Sequence, residues 1–346
     1  MSLDLYGTWA LQGLIRTVKP SLPGFWLNFF QRTFTFETEE VDFDVVMVDR
    51  KVAPFVMPTS AGVPQRERGF ETRKYKPAYI KVSHALNPRR TLERQPGEGF
   101  GGTLSPLHRQ ALLLGAYAQD HVDMIQRRWN LMAAEVMQFG TCTIGSDAVG
   151  SEYPKRVIDF GRDPALNITK AAGSRWGDAG VSILSDIEDT SQLVYDKGFY
   201  PVKTVIMGNK AWKAMRQDSE LRDLMKLFAG NRNLQLDLAP GSGAMLQYKG
   251  SDGSREFWTY NEQYDIDEST SVPLMDPRDV LYIAADGIAG AQAFGAILDV
   301  ENLMAQAIFT KSWIEENPSS RQLLSQSAPM VIPGRPNCVG RARVVA

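Results

Sequence analysis

The sequence predicts an α+β fold with at least two lobes and a long protrusion, and three observations carry that prediction. The stretch from about 34 to 100 sorts its charge into an acidic and a basic ribbon with strand-like alternation. One unbroken helical pattern then runs from Ser105 to Gly140, and short strand and helix patterns alternate from about 141 to 300. At 346 residues the chain exceeds a typical domain of roughly 100 to 200 residues, so more than one lobe is expected. Hydrophobic residues make up 43% and charged residues 23%, an ordinary globular composition that excludes a disordered or low-complexity chain.

Residues 1 to 33 open with the apolar positions Trp9, Leu11, Leu14, Ile15 and Val18, pass the breaker Lys19-Pro20-Ser21-Leu22-Pro23-Gly24, and end on the aromatics Phe25, Trp26, Phe29 and Phe30. This pattern reads as an arm with adhesive aromatic points. In the next segment Glu37, Glu39, Glu40, Asp42, Asp44 and Asp49 alternate with Phe34, Phe36, Val41, Phe43 and Val45, the period-two pattern of a half-buried strand. Downstream, Arg66, Arg68, Arg73, Lys74, Lys76, Lys81, Arg89, Arg90 and Arg94 face only Glu67, Glu71 and Glu93. Nine cations minus three acids leave a local excess of six, in a chain whose formal net charge is -2. A strand-rich, charged segment of this kind offers little apolar surface to offset chain entropy, so it reads as an extended protrusion. The two ribbons can neutralise each other across a hairpin in one chain, or each can meet the opposite ribbon of a neighbouring copy, where charge complementarity sets register and partner choice. The second, sharper reading makes the chain a subunit.

Ser105-Pro106 supplies an N-cap and a first-turn proline, and nothing breaks the pattern firmly before Gly140. Leu112, Leu113, Tyr117, Val122, Ile125, Trp129, Met132, Ala133, Val136 and Met137 recur at three- and four-residue steps. The expected helix is on the order of 50 Å long, a spine rather than an ordinary globular helix. Beyond it, Val202 to Met207 reads as a buried strand followed by a helix from Ala211 to about Phe228. Leu246 to Tyr248, Phe257 to Tyr260 and Val280 to Ala285 read as further strands. The closing part reads as strands at Ala305 to Trp313 and Gln322 to Pro333, separated by a loop at Glu315 to Pro318.

The chemistry-bearing spellings are weak. Gly97, Gly99 and Gly102 satisfy G-x-G-x-x-G, but a run of charged residues precedes them where a dinucleotide site needs a buried strand, so they read as a hinge. Gly241-Ser242-Gly243 lacks nucleophile-elbow spacing. His84, His108 and His121 show no metal spacing and read as surface or satisfied histidines. Asp186, Glu188 and Asp189 read as a solvated helix start. Cys142 and Cys338 form no framework and are expected to be free, half-buried thiols. No catalytic set, cofactor site or metal site emerges. The near-neutral balance argues against a dedicated nucleic-acid binder, and the amino terminus fails as a secretory signal. No apolar run approaches the roughly 18 residues of a membrane span, so no membrane association is expected.

Several collinear fragments resemble the major capsid proteins of tailed bacteriophages with the Hong Kong 97 fold, and more narrowly the phage lambda major capsid protein family. They are Phe25-Trp26-Leu27-Asn28-Phe29-Phe30 with Phe36 to Val41, Tyr79-Ile80-Lys81 with Asn87-Pro88, and Thr91-Leu92. Further on come Asp159-Phe160-Gly161-Arg162 with Asn167-Ile168-Thr169 and Trp176, then Gly208 to Trp212 and the closing Gln326-Ser327-Ala328-Pro329. The resemblance covers nearly the whole chain. It implies an N-terminal arm at 1–33, an extended loop at 34–100 and a spine helix of a peripheral domain at 101–144. An axial domain would span 145–290, and closing strands, mainly peripheral, 291–346.

The function so implied is that of a structural, non-enzymatic subunit assembling into hexamers and pentamers. These form a procapsid and then the DNA-containing head, assembled in the host bacterial cytoplasm. The implied partners are further copies of the chain, a portal protein, a decoration protein in many members, and enclosed double-stranded DNA bound without sequence specificity. No long segment precedes the arm, so a separate scaffold protein is expected. The expected inter-subunit contacts are Glu37, Glu39, Glu40, Asp42, Arg73, Lys74, Lys81, Arg89, Arg90, Arg94, Phe29 and Phe30. A protein-cargo compartment shell of the same fold and, further off, a cytosolic enzyme are the alternatives.

Overall fold

In the computed structural model, which describes residues 24–38, 40–46, 52–53, 55, 57–59, 70–94, 104–145, 154–227, 235–236, 245–267, 270–301 and 304–346, the predicted spine helix runs over Pro106–Phe139. Its ends follow from local chemistry. The Ser105 hydroxyl accepts a hydrogen bond from the His108 amide at 3.2 Å, and Pro106 occupies the first turn, where its missing N–H costs nothing. At the other end Gly140 turns left-handed at φ 72° and donates to the Val136 carbonyl at 2.8 Å. A side chain there would be strained by the backbone, and its Cβ would meet the Cβ of Arg162 at 2.6 Å. The buried stripe is Leu114, Ala118, His121, Val122, Ile125, Trp129, Met132, Ala133, Val136 and Met137. It departs from the expected face in the first half of the helix, where Leu112 is 51% exposed, because that half packs on one side only, against strands Ile80–Leu86 and Ser319–Ser327.

A seven-stranded mixed sheet carries the α/β part. Its order is Asn167–Thr169, Val339–Arg343, Asp279–Ile283, Thr204–Met207, Glu256–Tyr260, Leu246–Ser251 and Gln235–Leu236. The two central strands are buried on both faces, which explains their nearly continuous apolar sequence. Val205, Met207, Val280 and Tyr282 point into a core with Ile187, Val194, Trp212 and Met215 of helices Ile183–Gly198 and Asn209–Gln217. Their neighbours Ile206, Leu281 and Ile283 point the other way, into a core shared with Val136 and Met137 of the spine helix. The strand period of two thus joins the sheet to the spine. The last strand, Val339–Arg343, pairs antiparallel with Asp279–Ile283 and parallel with Asn167–Thr169, so the end of the chain returns to this sheet.

Next to the spine, strands Phe309–Glu316 and Ser319–Ser327 form an antiparallel hairpin, to which Ile80–Leu86 adds a third strand. The loop expected at Glu315 to Pro318 is therefore tighter than its composition suggested, because pairing runs out to Glu316 opposite Ser319. The helix expected from Ala211 to Phe228 is two helices, Asn209–Gln217 and Ser219–Leu227. Asp218 between them is extended at ψ 130°, and its carboxylate accepts from the Glu220 amide at 2.9 Å, a start signal that overrides the continuing helical pattern. Both cysteines are fully buried and free. Burial, as the leading cause, pushes the Cys142 thiol up to about 12 and that of Cys338 up to about 11, so both are inert packing groups rather than half-buried thiols.

Two ionic networks tie these parts together. The buried Arg162 guanidinium donates to the carbonyls of Val136, Met137 and Gln138 at 3.0, 2.9 and 3.0 Å, and to Pro336 at 3.1 Å. It satisfies the open carbonyl end of the spine helix, and its charge complements the helix dipole there. Burial, with the Arg341 charge second, holds Arg162 down to about 9, still charged at neutral pH. The fully buried Asp279 accepts from Arg341 at 2.7 Å and Arg343 at 2.9 Å. Asp276 accepts from Arg343 and Arg278, both at 2.7 Å. The bond from Arg278 leads the causes that bring Asp276 down to about 2.

Arg162→Met keeps the length of the side chain but removes four donations to buried carbonyls. It should lower stability by about 3 kcal/mol, read as a lower urea midpoint at unchanged slope. A change below about 0.5 kcal/mol would contradict this role.

Candidate assembly surface

The charged ribbons meet each other in the structure. Strand Val41–Val46 pairs antiparallel with Phe70–Tyr75, placing Asp42 opposite Lys74, Phe43 opposite Arg73 and Asp44 opposite Thr72. A strand of the acidic ribbon and a strand of the basic ribbon are thus paired within the chain. Glu37 and Glu40 are exposed beside this pair, and Glu39 lies outside the described residues.

The rest of the basic segment turns outward. Lys81 is exposed on strand Ile80–Leu86, with its ammonium 5.2 Å from the Tyr79 ring centroid. Asn87 caps a short helix at Pro88–Leu92 by accepting from the Arg89 amide at 3.0 Å. This turn presents Arg89, 85% exposed and 3.4 Å from Glu93, and Arg90, 65% exposed and 3.8 Å from the same carboxylate. One acid facing two exposed arginines leaves the turn basic. Arg94 follows it, also exposed.

The aromatic expectation needs correcting. Phe30 is 0% exposed and so is Trp26, so neither is available to another copy. The short turn Phe25–Phe29 docks on its own spine helix, and the Trp26 amide donates to Asn130 Oδ1 at 3.1 Å. Phe25, Trp26 and Tyr260 pack with ring centroids 5.0 to 5.6 Å apart, and Phe29 is half-buried against them. Four large rings within six residues hold more apolar area than an exposed arm can leave in water, and the nearest cover is intramolecular. Residues 1–23 of the expected arm lie outside the described residues, as do Gly97, Gly99 and Gly102.

Exposed apolar groups are spread over the subunit, with Val157, Leu298, Val300, Met304 and Ile314 among them, and they include residues of the extended segment and the spine. Val52, Phe55 and Met57 of the extended segment are 90%, 106% and 73% exposed. Along the spine, Leu107, Leu112 and Met124 stay in solvent. Large side chains left this open mark interaction surface. A cleft of about 1310 Å³ opens between the second half of the spine and the α/β sheet, with Lys81, Lys155, Lys210 and Arg278 opposite Glu135 and Asp276 in its lining. Beside the hairpin, Asp299 pairs with Lys311 at 2.6 Å. Burial alone would raise its carboxyl, but donation from Lys311, the Glu301 amide and Gln326 outweighs that and holds it below the usual carboxylate range.

Sequence reasoning missed two polar clusters. Asp186 is buried, not solvated, and holds Lys170 and the Trp176 indole N–H. His84 and His121, 37 positions apart, touch. Among the described residues no group of three or more His, Cys, Asp or Glu side chains could hold a metal ion, and no helix is long and apolar enough to cross a membrane.

A family model described as phage major capsid protein E matches residues 8–344. The major capsid protein of Enterobacteria phage P21 is 27% identical over 310 residues, covering 88% of this chain and 89% of its own. That of Escherichia phage lambda is 24% identical over 321 residues, covering 91% and 92%. Among solved structures, a protein described as a capsid protein of an Escherichia coli CFT073 prophage covers 98% of this chain and 99% of its own. Its TM-score is 0.71 at 20% identity.

Phe30→Ala should destabilise the isolated subunit by about 3 to 5 kcal/mol, measured by urea unfolding. Unchanged subunit stability with a defect confined to association would return Phe30 to an interface.

Proposed function

The chain belongs to the phage major capsid protein E family, and on that premise we propose that copies of it pack as hexamers and pentamers into an icosahedral shell of the Hong Kong 97 type. It is a structural protein of the tailed-phage head, not an enzyme, in keeping with its capsid-protein relatives. The observation that carries the reading is the family match, which runs from residue 8 to 344 and leaves no room for a second, catalytic domain within that span.

The finer mechanism rests on what the subunit leaves exposed. The extended segment holds Val52, Phe55 and Met57 in water, and in the proposed shell it lies across the neighbour's spine helix, whose Leu107, Leu112 and Met124 are also uncovered. The basic turn at Arg89 and Arg90, with Arg94 beyond it, then sets the position of the loop against acidic groups of the neighbour. Glu37 and Glu40 are the exposed acids on the ribbon that would meet it. Each exposed ion pair contributes only about 0 to 1 kcal/mol, so cohesion comes from apolar contacts repeated around the shell, with charge steering the approach.

Weak contacts in large number allow misplaced subunits to leave before the shell closes. In this account the procapsid forms around a separate scaffold protein, a portal protein occupies one vertex, and a decoration protein joins the expanded head. The enclosed double-stranded DNA meets no base-reading site. The peripheral part is the spine with the hairpin Phe309–Glu316 and Ser319–Ser327, and the axial part is the α/β sheet with its helices.

Electron microscopy of the chain expressed with and without a candidate scaffold, beside its mass in solution, tests the reading. Closed shells tens of nanometres across are expected, and a persistent monomer or dimer under both conditions would contradict it. Reversing Arg89 and Arg90 to Glu should abolish closed shells while leaving soluble subunits with the wild-type unfolding midpoint. Shells of normal size and yield from that variant would remove the basic turn from the mechanism.

A further inference from the structure

Outside the charged surfaces, one buried polar cluster is used by nothing described so far. His84 Nδ1 lies 2.6 Å from His121 Nε2. His121 Nδ1 lies 2.8 Å from Ser325 Oγ, which lies 2.8 Å from Thr310 Oγ1. The four side chains come from four elements: strand Ile80–Leu86 at the base of the extended loop, the spine helix, and both strands of the hairpin. The His84 ring stacks on Tyr117 of the spine at 4.9 Å and 13°, and on His121 at 4.8 Å and 29°. His121, Ser325 and Thr310 are all 0% exposed, while His84 is half-buried.

We propose that this His84–His121–Ser325–Thr310 chain is a proton-operated latch that holds the base of the extended loop to the spine helix at neutral pH and releases it in acid. The argument starts from donor and acceptor counting. With both rings neutral, each facing pair of atoms needs one hydrogen and one lone pair, and the chain closes in either direction from His84 to Thr310. One added proton is also accommodated, because a charged ring can donate to the lone pair of its neighbour. Two are not: both facing nitrogens would carry hydrogens at 2.6 Å, and two like charges would sit in contact beneath the sheet.

Among the described strand residues no acid stands abreast of His84 to relieve that repulsion. In the antiparallel register Ser312, Leu323 and His84 lie abreast, as do Thr310, Ser325 and Val82, and Ile314, Arg321 and Leu86. Residues directly opposite share a face, so on the face of His84 the strands present two charged side chains, Arg321 and, at the far end of the hairpin opposite Ser319, the exposed Glu316. Arg321 donates to Ser312 Oγ at 3.3 Å, and a second cation opposes protonation further. The helix contributes Tyr117 and the buried Leu114, Ala118 and Ile125 on this side.

The direction in pH follows. Burial, with the His84 charge second, holds His121 down to about 4 from an ordinary 6.5. The folded state therefore binds fewer protons than the unfolded one between those values. The contribution of the latch is complete above about pH 6.5 and lost as pH falls toward 4. Release exposes the seam between strand Ile80–Leu86 and the spine, where the loop leaves the body of the subunit.

Hydrogen exchange of the full chain, followed by mass spectrometry across pH 7.5 to 3.5 and corrected for intrinsic rates, reads the latch directly. In the wild type, peptides covering 80–86 and 319–327 should lose protection together at least tenfold, with a midpoint between pH 4 and 6.5, ahead of the α/β sheet. His121→Gln, which keeps a polar group but no titration, should show no such local step. His84→Phe, which keeps the stack on Tyr117 but removes one of the two facing nitrogens and its charge, should likewise show no step at the wild-type pH and covers the case in which the first variant fails to fold. A wild type without a step confined to these peptides would overturn the latch, as would steps at the wild-type pH in both folded variants. If only His84→Phe folds, a step at the wild-type pH in it alone overturns the proposal.

Discussion

The end of the spine helix at Gly140 is the constraint on which the rest of the molecule depends. There a 34-residue rod presents its last carbonyls to a buried arginine, and Arg162 answers them while also holding Pro336. The residues after Arg162 lead to strand Asn167–Thr169 and those after Pro336 lead to strand Val339–Arg343, which lie side by side at one edge of the seven-stranded sheet. A single guanidinium therefore registers the spine against the α/β sheet at the point where their shared core begins. The Asp279 and Asp276 network then secures the same edge from within the sheet. Burying so much charge is favourable only because each group is matched, and the match fixes geometry more than it adds cohesion.

Much of this organisation is legible in the sequence wherever the signal is local. Ser105, Pro106 and Gly140 mark both ends of the spine because capping is a property of a few adjacent residues. The strand at Thr204–Met207 and the helix after it are legible because an apolar run between a proline and a Gly-Asn pair has few other uses. Asp218 broke an expected helix through a start signal that looks like an ordinary solvent-facing acid within a helical pattern. Non-local contacts were less accessible. Nothing near Phe30 says that its cover comes from the core it shares with the spine of its own chain, so its aromatic density read as adhesive. The contact of His84 with His121 depends on strand Ile80–Leu86 joining the hairpin, a pairing between segments more than 200 positions apart. The one hint was a histidine within the apolar face of a helix. The charge ribbons were legible as ribbons, but sequence left open whether they close within one chain or between two, and the structure pairs Asp42 with Lys74 of the same chain.

That closure changes the physics of assembly. With strands of both ribbons paired within the chain, the proposed steering of a neighbour falls to the exposed basic turn at Arg89 and Arg90 and to exposed apolar groups. Val52 and Phe55 are open in the single subunit, and in the proposed shell a neighbour covers them. In the proposed shell the body registered at Arg162 carries a loop whose base, strand Ile80–Leu86, lies beside the His84 cluster.

An electron-microscopy reconstruction of the assembled shell at side-chain resolution tests this account most directly. It should show the segment containing Val52, Phe55 and Met57 lying across the spine helix of an adjacent copy, covering exposed spine residues such as Leu107, Leu112 and Met124, with Arg89 and Arg90 facing acids of that copy. The same segment folded back over its own subunit, with the spine helices uncovered or buried by another element, would contradict it.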